Sequence, residues 1–369
     1  MRLLAIVPSL YDTSPGQRFR LEQWEPLLRA KGVDITYEPF EDEALHALLY
    51  KPGNMPSKLR LISKAFARRM TLMRRLRDYD AIYVFREAAL LGPPIFERII
   101  HRSGVPFIFD FDDAIFVPYK SPSNGYLSYL KFPAKTRTIC RLAAHVIAGN
   151  PYLANYARQT NDRVSIVPTT IDTEKYEVVR REKGEGVPVI GWSGSFSTLQ
   201  HLDTLRGALQ RLARQEQFRL RVIGTPDYRF EGVEVEALPW RSETEVVDLR
   251  TIDIGVMPLP DEQWSRGKCG LKALQYMALG IPTICSPVGV NSDIINDSVN
   301  GMLASTEDEW VAKMTELLRN PHLRMKLGAA GRAIVEAKYS AVAQAPRVFE
   351  ILRTVVGHAS VREESVVTV

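Results

Sequence analysis

Residues 265–287 read SRGKCGLKALQYMALGIPTICSP. A basic, glycine-containing stretch, with Arg266 and Lys268 around Gly267 and Gly270, runs into an apolar pattern of helical spacing. A short apolar run, residues 283–286, follows as a strand candidate. This alternation of short strand-like runs with longer helical patterns continues in both directions to the chain ends. It is the signature of α/β folds built on parallel sheets.

In the second half, strands are expected at residues 189–192, 219–223, 233–237, 254–258 and 283–286. Leu199, Leu202, Leu205, Leu209 and Leu212 mark the first helix there, and Thr306 with Glu309 forms a capping box opening another. Upstream, the pattern lapses into charge, two glycines and a proline over residues 173–188, which reads as a linker. The first half repeats the alternation, with strands expected at residues 3–7, 34–37, 81–85, 107–111, 145–148 and 165–167. Its first helix carries Leu21, Trp24, Leu27 and Leu28 on one face and ends at Gly32. The organisation predicted is one doubly wound domain over 1–172, a linker over 173–188 and a second domain over 189–335. A C-terminal helix over 336–357 would pack back on the first domain and stop at Gly357, before a flexible tail over 358–369. Ligands of such sheets bind outside the C-terminal strand ends.

The totals fit a soluble two-domain protein of 369 residues, with 45% hydrophobic and 25% charged residues. The three cysteines, Cys140, Cys269 and Cys285, have no CxxC spacing, so neither a disulfide framework nor a zinc site is expected. The apolar start is short and interrupted by Pro8, and reads as a buried strand. No run approaches the roughly 18 apolar residues that cross a bilayer, so a cytoplasmic, reduced location is expected. The formal charge is +5. Residues 58–77 hold eight basic residues and no acidic one: Lys58, Arg60, Lys64, Arg68, Arg69, Arg74, Arg75 and Arg77. Leucines, methionines, Ile62 and Phe66 are interleaved, which suits an anionic membrane surface on its inner face, or a plain solvated helix face. No nucleic-acid-binding motif accompanies the segment, so nucleic acid is not an expected partner.

The chemistry concentrates in a few places. If a helix begins near Lys268, then Lys268, Lys272 and Gln275 share a face at i, i+4 and i+7 spacing. Two ammonium groups, a helix N-terminus and close-approaching glycines suit a diphosphate, and Gln275 suits a ribose or sugar hydroxyl. The bland alternative is an exposed basic helix start. In the strand-turn VIGWSGSFST, residues 189–198, Gly194 and Ser195 fall at a C-terminal strand end, where amides and hydroxyls reach phosphate. Trp192 there is either core or a wall for a base. No GxGxxG occurs, which argues against a dinucleotide oxidoreductase. In FDFDDA, residues 109–114, three carboxylates end an apolar strand and must line a site or pair with cations. Their spacing suggests a metal-binding DxD, but no second acidic or histidine cluster completes a metal sphere, so no metal site is expected.

The phrase LQYMALGIPT, residues 274–283, resembles the LEAMA-x-G-x-P-V element of family 4 retaining glycosyltransferases (glycosyl transferases group 1). SPVG at 286–289 and NGML at 300–303 resemble that family's next two elements. The resemblance covers most of the second half and, more loosely, the first. It implies the GT-B fold, two doubly wound Rossmann-like domains facing a central cleft. It further implies retaining transfer of a sugar from a nucleotide-diphosphate donor, by front-face attack, with the nucleotide-sugar as co-substrate and no other cofactor. Arg266, Lys268, Gly270, Lys272 and Gln275, with Gly194 and Ser195, become the donor-binding set. The loop SPGQRFR, residues 14–20, resembles the family's loop near the transferred sugar and acceptor, which makes Gly16 and Arg18 contacts there. Asp112 falls where the family commonly has an active-site histidine, and is the expected catalytic contact, supported by Asp113. A lipid-linked or polysaccharide acceptor would fit the basic segment. Two family glutamates are missing, their places taken by Gly267 and Gln275. A catalytically silent homologue that binds a nucleotide-sugar or a partner therefore stays open, as does an epimerase of the same fold.

Overall fold

The computed structural model describes residues 1–49, 51, 53–118, 131–178, 186–195 and 198–367. The chain forms two compact units, residues 1–168 with 344–369, and residues 169–343. Much of the linker expected over 173–188 and part of the turn at 196–197 lie outside the described residues.

Each unit is built on a six-stranded sheet whose paired strands all run parallel. In the first unit β1 (Arg2–Val7), β2 (Asp34–Pro39), β3 (Ala81–Phe85), β4 (Phe107–Phe111), β5 (His145–Ala148) and β6 (Val164–Ile166) lie in the order β2-β1-β3-β4-β5-β6. In the second, β7 (Val189–Ser193), β8 (Arg219–Ile223), β9 (Val235–Leu238), β10 (Ile254–Met257), β11 (Thr283–Cys285) and β12 (Met302–Leu303) lie in the order β12-β11-β10-β7-β8-β9. The central strands are continuous apolar runs because helices cover both their faces. Strand order reverses beside β1 in one sheet and beside β7 in the other. Such switch points open a crevice above the C-terminal strand ends, where ligands bind.

Local chemistry explains most boundaries. Thr306 and Glu309 form the expected capping box, opening the helix Glu307–Arg319. The leucine pattern from Leu199 forms two helices, Leu199–Asp203 and Arg206–Ala213, whose Leu202, Leu209 and Leu212 are fully buried. The last helix, Ala341–Val367, does not stop at Gly357 as expected. Glycine lowers helix propensity by about 1 kcal/mol, which alone does not end a helix. All three cysteines are buried, and none forms a disulfide among the described residues.

The basic segment folds as the helix Met55–Leu72 and a following turn of 3-10 helix. It is not the uniformly solvated cationic face its composition suggests. Lys58 is buried and donates to the Lys51 carbonyl (2.5 Å). Arg69 is buried and donates to the carbonyls of Glu38 and Val7. Arg68 donates to the Phe40 and Pro39 carbonyls and lies 3.3 Å from Asp42. Arg68 and Arg69 tie the helix to the ends of β1 and β2, and Lys58 ties it to the connection that precedes it. Arg60, Lys64, Arg74, Arg75 and Arg77 remain exposed, beside Leu59 (63% exposed) and Met70 (47%).

Candidate functional site

In the second unit, the helix Leu271–Ala278 opens on Gly270, whose φ of 71° is the left-handed conformation that favours glycine. It has neither a side-chain cap nor an acidic residue in its first turn. Lys272 sits in that turn instead, where the helix dipole disfavours a cation. Its Nζ lies 4.3 Å from the centre of the Trp192 ring, and no carboxylate pairs with it among the described residues. Burial, and then the neighbouring Lys268, push its pKa down to about 7. Here the sequence rules for stability are broken in one direction, toward an unmet positive charge.

Gly194, at the end of β7, is part of this arrangement for a reason the sequence did not suggest. Its amide donates to the Ile223 carbonyl (2.9 Å), so it is not held out to a ligand. A Cβ at this position would come within 2.8 Å of Lys272 Nζ and 2.5 Å of the Trp192 ring. Gly194 makes room for the lysine. The Ser195 carbonyl accepts from the Thr198 amide and hydroxyl. Tyr276, on the same helix as Lys272, accepts at its hydroxyl from the Ser193 amide (2.9 Å) and so ties that helix to β7.

Other expected donor contacts fall elsewhere. Lys268 precedes the helix, so the i, i+4, i+7 face does not form, and its Nζ lies 5.0 Å from the Trp264 ring centre. Arg266 makes a two-point pair with Asp261, at 2.7 and 3.0 Å. Gln275 turns inward. It is buried, and its amide donates to the Tyr176 hydroxyl (2.8 Å) and to Glu245 (3.2 Å). Tyr176 and Trp240 also donate to Glu245, each at 2.9 Å.

In the first unit, Gly16, Asp112 and Asp113, expected near a sugar, lie together around Arg86, and Arg18 does not join them. Asp112 and Asp113 follow β4, and Arg86 follows β3 at a positive φ of 59°. Arg86 Nε donates to Asp112 (2.6 Å) and Nη2 to Asp113 (2.9 Å). Burial opposes its charge, but the two carboxylates outweigh burial and raise its pKa above the ordinary value. A Cβ on Gly16 would lie 2.5 Å from Arg86 and 2.8 Å from Asp112, so the loop after β1 closes directly over this pair. A non-glycine residue held in the left-handed region is a mark of functional sites. Arg86 was missed by the sequence reading. Its signal was a charge placed directly after a fully buried parallel strand.

Two neighbours serve the scaffold. Asp110 faces the interior, where Arg20 binds it at two points (2.6 and 2.9 Å) and Tyr83 donates to it. Arg18 turns to Asp12 (2.6 Å). Its loop is fastened by Glu22, which accepts from the Asp12 amide (3.0 Å) and from Gln17 (2.7 Å). Burial raises the Glu22 pKa to about 7. Among the described residues, no three His, Cys, Asp or Glu side chains cluster as metal ligands.

Residues 187–320 match the model of the family described as glycosyl transferases group 1. The matched stretch lies within the second unit. It contains β7 to β12, the uncapped helix and Lys272. No curated protein matches the chain by sequence. Among solved structures, a sucrose-phosphate synthase from Thermosynechococcus elongatus is similar at 15% identity and a TM-score of 0.69, over 97% of this chain and 100% of that one. A glycosyltransferase from Rickettsia africae superposes with a TM-score of 0.68 at 13% identity, over 96% and 98% of the two chains. Anabaena HepE, solved in complex with UDP and glucose, gives 0.67 at 15% identity, over 96% and 100%. At these identities the likeness establishes the fold, which is GT-B.

Proposed function

We propose that the protein transfers a sugar from a nucleotide-diphosphate donor to an acceptor hydroxyl, with retention, in polysaccharide or glycolipid assembly. The observation that carries this is Lys272, an ammonium with no carboxylate partner among the described residues, in the first turn of an uncapped helix within the stretch that matches the glycosyl transferases group 1 model. A diphosphate leaving group supplies the missing negative charge, and the helix N-terminus adds to its binding. Lys272 and Lys268 stabilise charge as it develops on the departing phosphate, the work a metal ion does in other enzymes. HepE was solved with UDP-glucose, which makes that donor the first to test. Asp112, held by Arg86 beside Gly16, is the contact for the transferred sugar or the acceptor hydroxyl. The exposed basic and apolar face of the helix Met55–Leu72 fits an anionic membrane on the cytoplasmic side, and with it a lipid-linked acceptor.

The direct test is calorimetric titration with UDP, GDP, ADP and dTDP and their common sugars, with and without EDTA. Binding of one nucleotide, insensitive to EDTA and lost in Lys272→Ala, is the expected result. No binding by a folded sample would remove the donor site from the proposal. One observation favours a second reading, a binding subunit without turnover. Gln275 stands where the family resemblance places a ribose-contacting glutamate, and its amide is committed to Tyr176 and Glu245. Selective nucleotide binding without transfer to any acceptor would decide for it.

A further inference from the structure

His201 lies on the helix Leu199–Asp203, which follows β7 and the Gly194 turn. Its side chain is buried, with 2% of the residue exposed, and neither ring nitrogen has a hydrogen-bond partner among the described residues. An imidazole normally satisfies at least one nitrogen when buried, because leaving both unpaired costs on the order of 1–3 kcal/mol each. The groups acting on this ring carry one sign. Lys272 comes from the helix Leu271–Ala278 and Lys268 from the loop before it. From the same helix, Tyr276 uses its hydroxyl on Ser193. On the histidine's own helix, Asp203 accepts from Arg206 (2.9 Å) and Tyr228 (3.0 Å). β7 contributes Trp192, whose buried indole nitrogen also has no hydrogen-bond partner among the described residues. Lys272, the imidazole and the indole N–H thus gather in one region, where no carboxylate among the described residues pairs with Lys272.

We infer that His201 is a ligand of the donor's diphosphate and takes up a proton from solvent as the diphosphate binds, releasing it when the nucleotide leaves. This rests on the donor-site reading above. In the free protein, burial and the two lysines hold the ring neutral, with its pKa pushed down to about 4. A diphosphate carries two negative charges into the same volume, so the balance that kept the ring neutral reverses. The imidazolium then donates one N–H to a phosphate oxygen as a charge-assisted hydrogen bond. Binding and protonation are linked, so donor affinity must rise as pH falls.

The measurement is calorimetry at pH 6 with UDP-glucose, GDP-mannose, ADP-glucose and dTDP-glucose, in MES and in bis-tris, whose ionisation heats differ. Sugar nucleotides have no phosphate group that titrates near this pH. Lys272, with a pKa near 7, is then already mostly charged before binding. Uptake of roughly one proton per bound nucleotide therefore reports the histidine. His201→Gln should abolish the uptake and weaken binding about tenfold, the loss of one charged hydrogen bond. Binding without proton uptake, or uptake unchanged in His201→Gln, overturns the proposal while leaving the donor site standing. Failure of all four sugar nucleotides to bind the folded protein would sink the donor-site reading itself. Should His201→Gln not fold, the ring nitrogen shifts of labelled wild-type protein give the same answer. An imidazole that stays neutral at saturation refutes the proposal.

Discussion

A lysine in the first turn of an uncapped helix is a poor choice for stability, and Lys272 shows where stability was given up. Its folded-state pKa of about 7 lies below the ordinary 10.5. The sign follows from linkage. The folded state holds this proton less tightly than the unfolded chain, so the penalty is fully present below pH 7 and shrinks as pH rises toward 10.5. Lys272→Met should therefore stabilise the unliganded protein at pH 6 by about 2 kcal/mol after loss of the contact with Trp192, and by less at pH 9. Thermal unfolding at the two pH values checks this, and the same variant should no longer bind nucleotide. Asp110 is the opposite case. Removing it in Asp110→Ala leaves the buried Arg20 without the carboxylate that binds it at two points, at a cost of about 3–5 kcal/mol. In Asp112→Asn, Arg86 keeps Asp113, and the cost should stay under about 2 kcal/mol. Urea unfolding of both variants separates scaffold from site; equal losses would refute the division.

At the scale of elements, the helix Met55–Leu72 illustrates how composition misleads. Its basic residues divide by direction. Lys58, Arg68 and Arg69 reach backbone carbonyls, while Arg60, Lys64 and, in the 3-10 turn that follows, Arg74 stay in solvent beside Leu59 and Met70. Only the solvent-facing set can meet a bilayer, at about 1 kcal/mol per basic residue near an anionic surface. The double variant Arg60→Glu with Arg74→Glu should lose most binding to vesicles containing phosphatidylserine or cardiolipin and keep nucleotide affinity unchanged. Vesicle binding equal to wild type would remove the membrane from the proposal. The helix Leu271–Ala278 carries a comparable lesson. Its start was expected near Lys268 but lies at Leu271, because Gly270 adopts the left-handed conformation that begins the helix. Three residues separate a shared cationic face from the arrangement found.

For the whole molecule, the two units differ in how the chain builds them. The second is one continuous stretch, residues 169–343, with its own sheet and core, whereas the first is completed by residues 344–369. Residues 169–343 expressed alone should fold and bind the same nucleotide within about tenfold of the full chain, since Lys272, Lys268 and His201 all lie within it. Residues 1–168 alone should be less stable than the same unit with its C-terminal helix, which buries Val348, Leu352 and Val355. Calorimetric unfolding and nucleotide titration of the two fragments test both statements. A fragment 169–343 that folds but binds nothing would mean that the donor site needs the other unit.

By itself, the sequence determined the strand alternation, the capping box at Thr306 and the loop-helix-strand unit around Lys272. Each of these is local: runs of apolar residues, cap chemistry and glycine spacing act within a few residues of one another. It also marked Gly16, Asp112 and Lys272, because charges and glycines at C-terminal strand ends stand out in any doubly wound sheet. What it could not determine was where long side chains go. Whether Gln275 faces a ligand or Glu245, whether Arg18 faces a ligand or Asp12, and that Arg86 joins Asp112 and Asp113 depend on partners that lie from 6 to 99 residues away in the chain. The setting of His201 was not legible in the sequence. Burial removed its water, and two lysines brought in by another helix and its loop set its charge, and only the tertiary structure assembles those conditions.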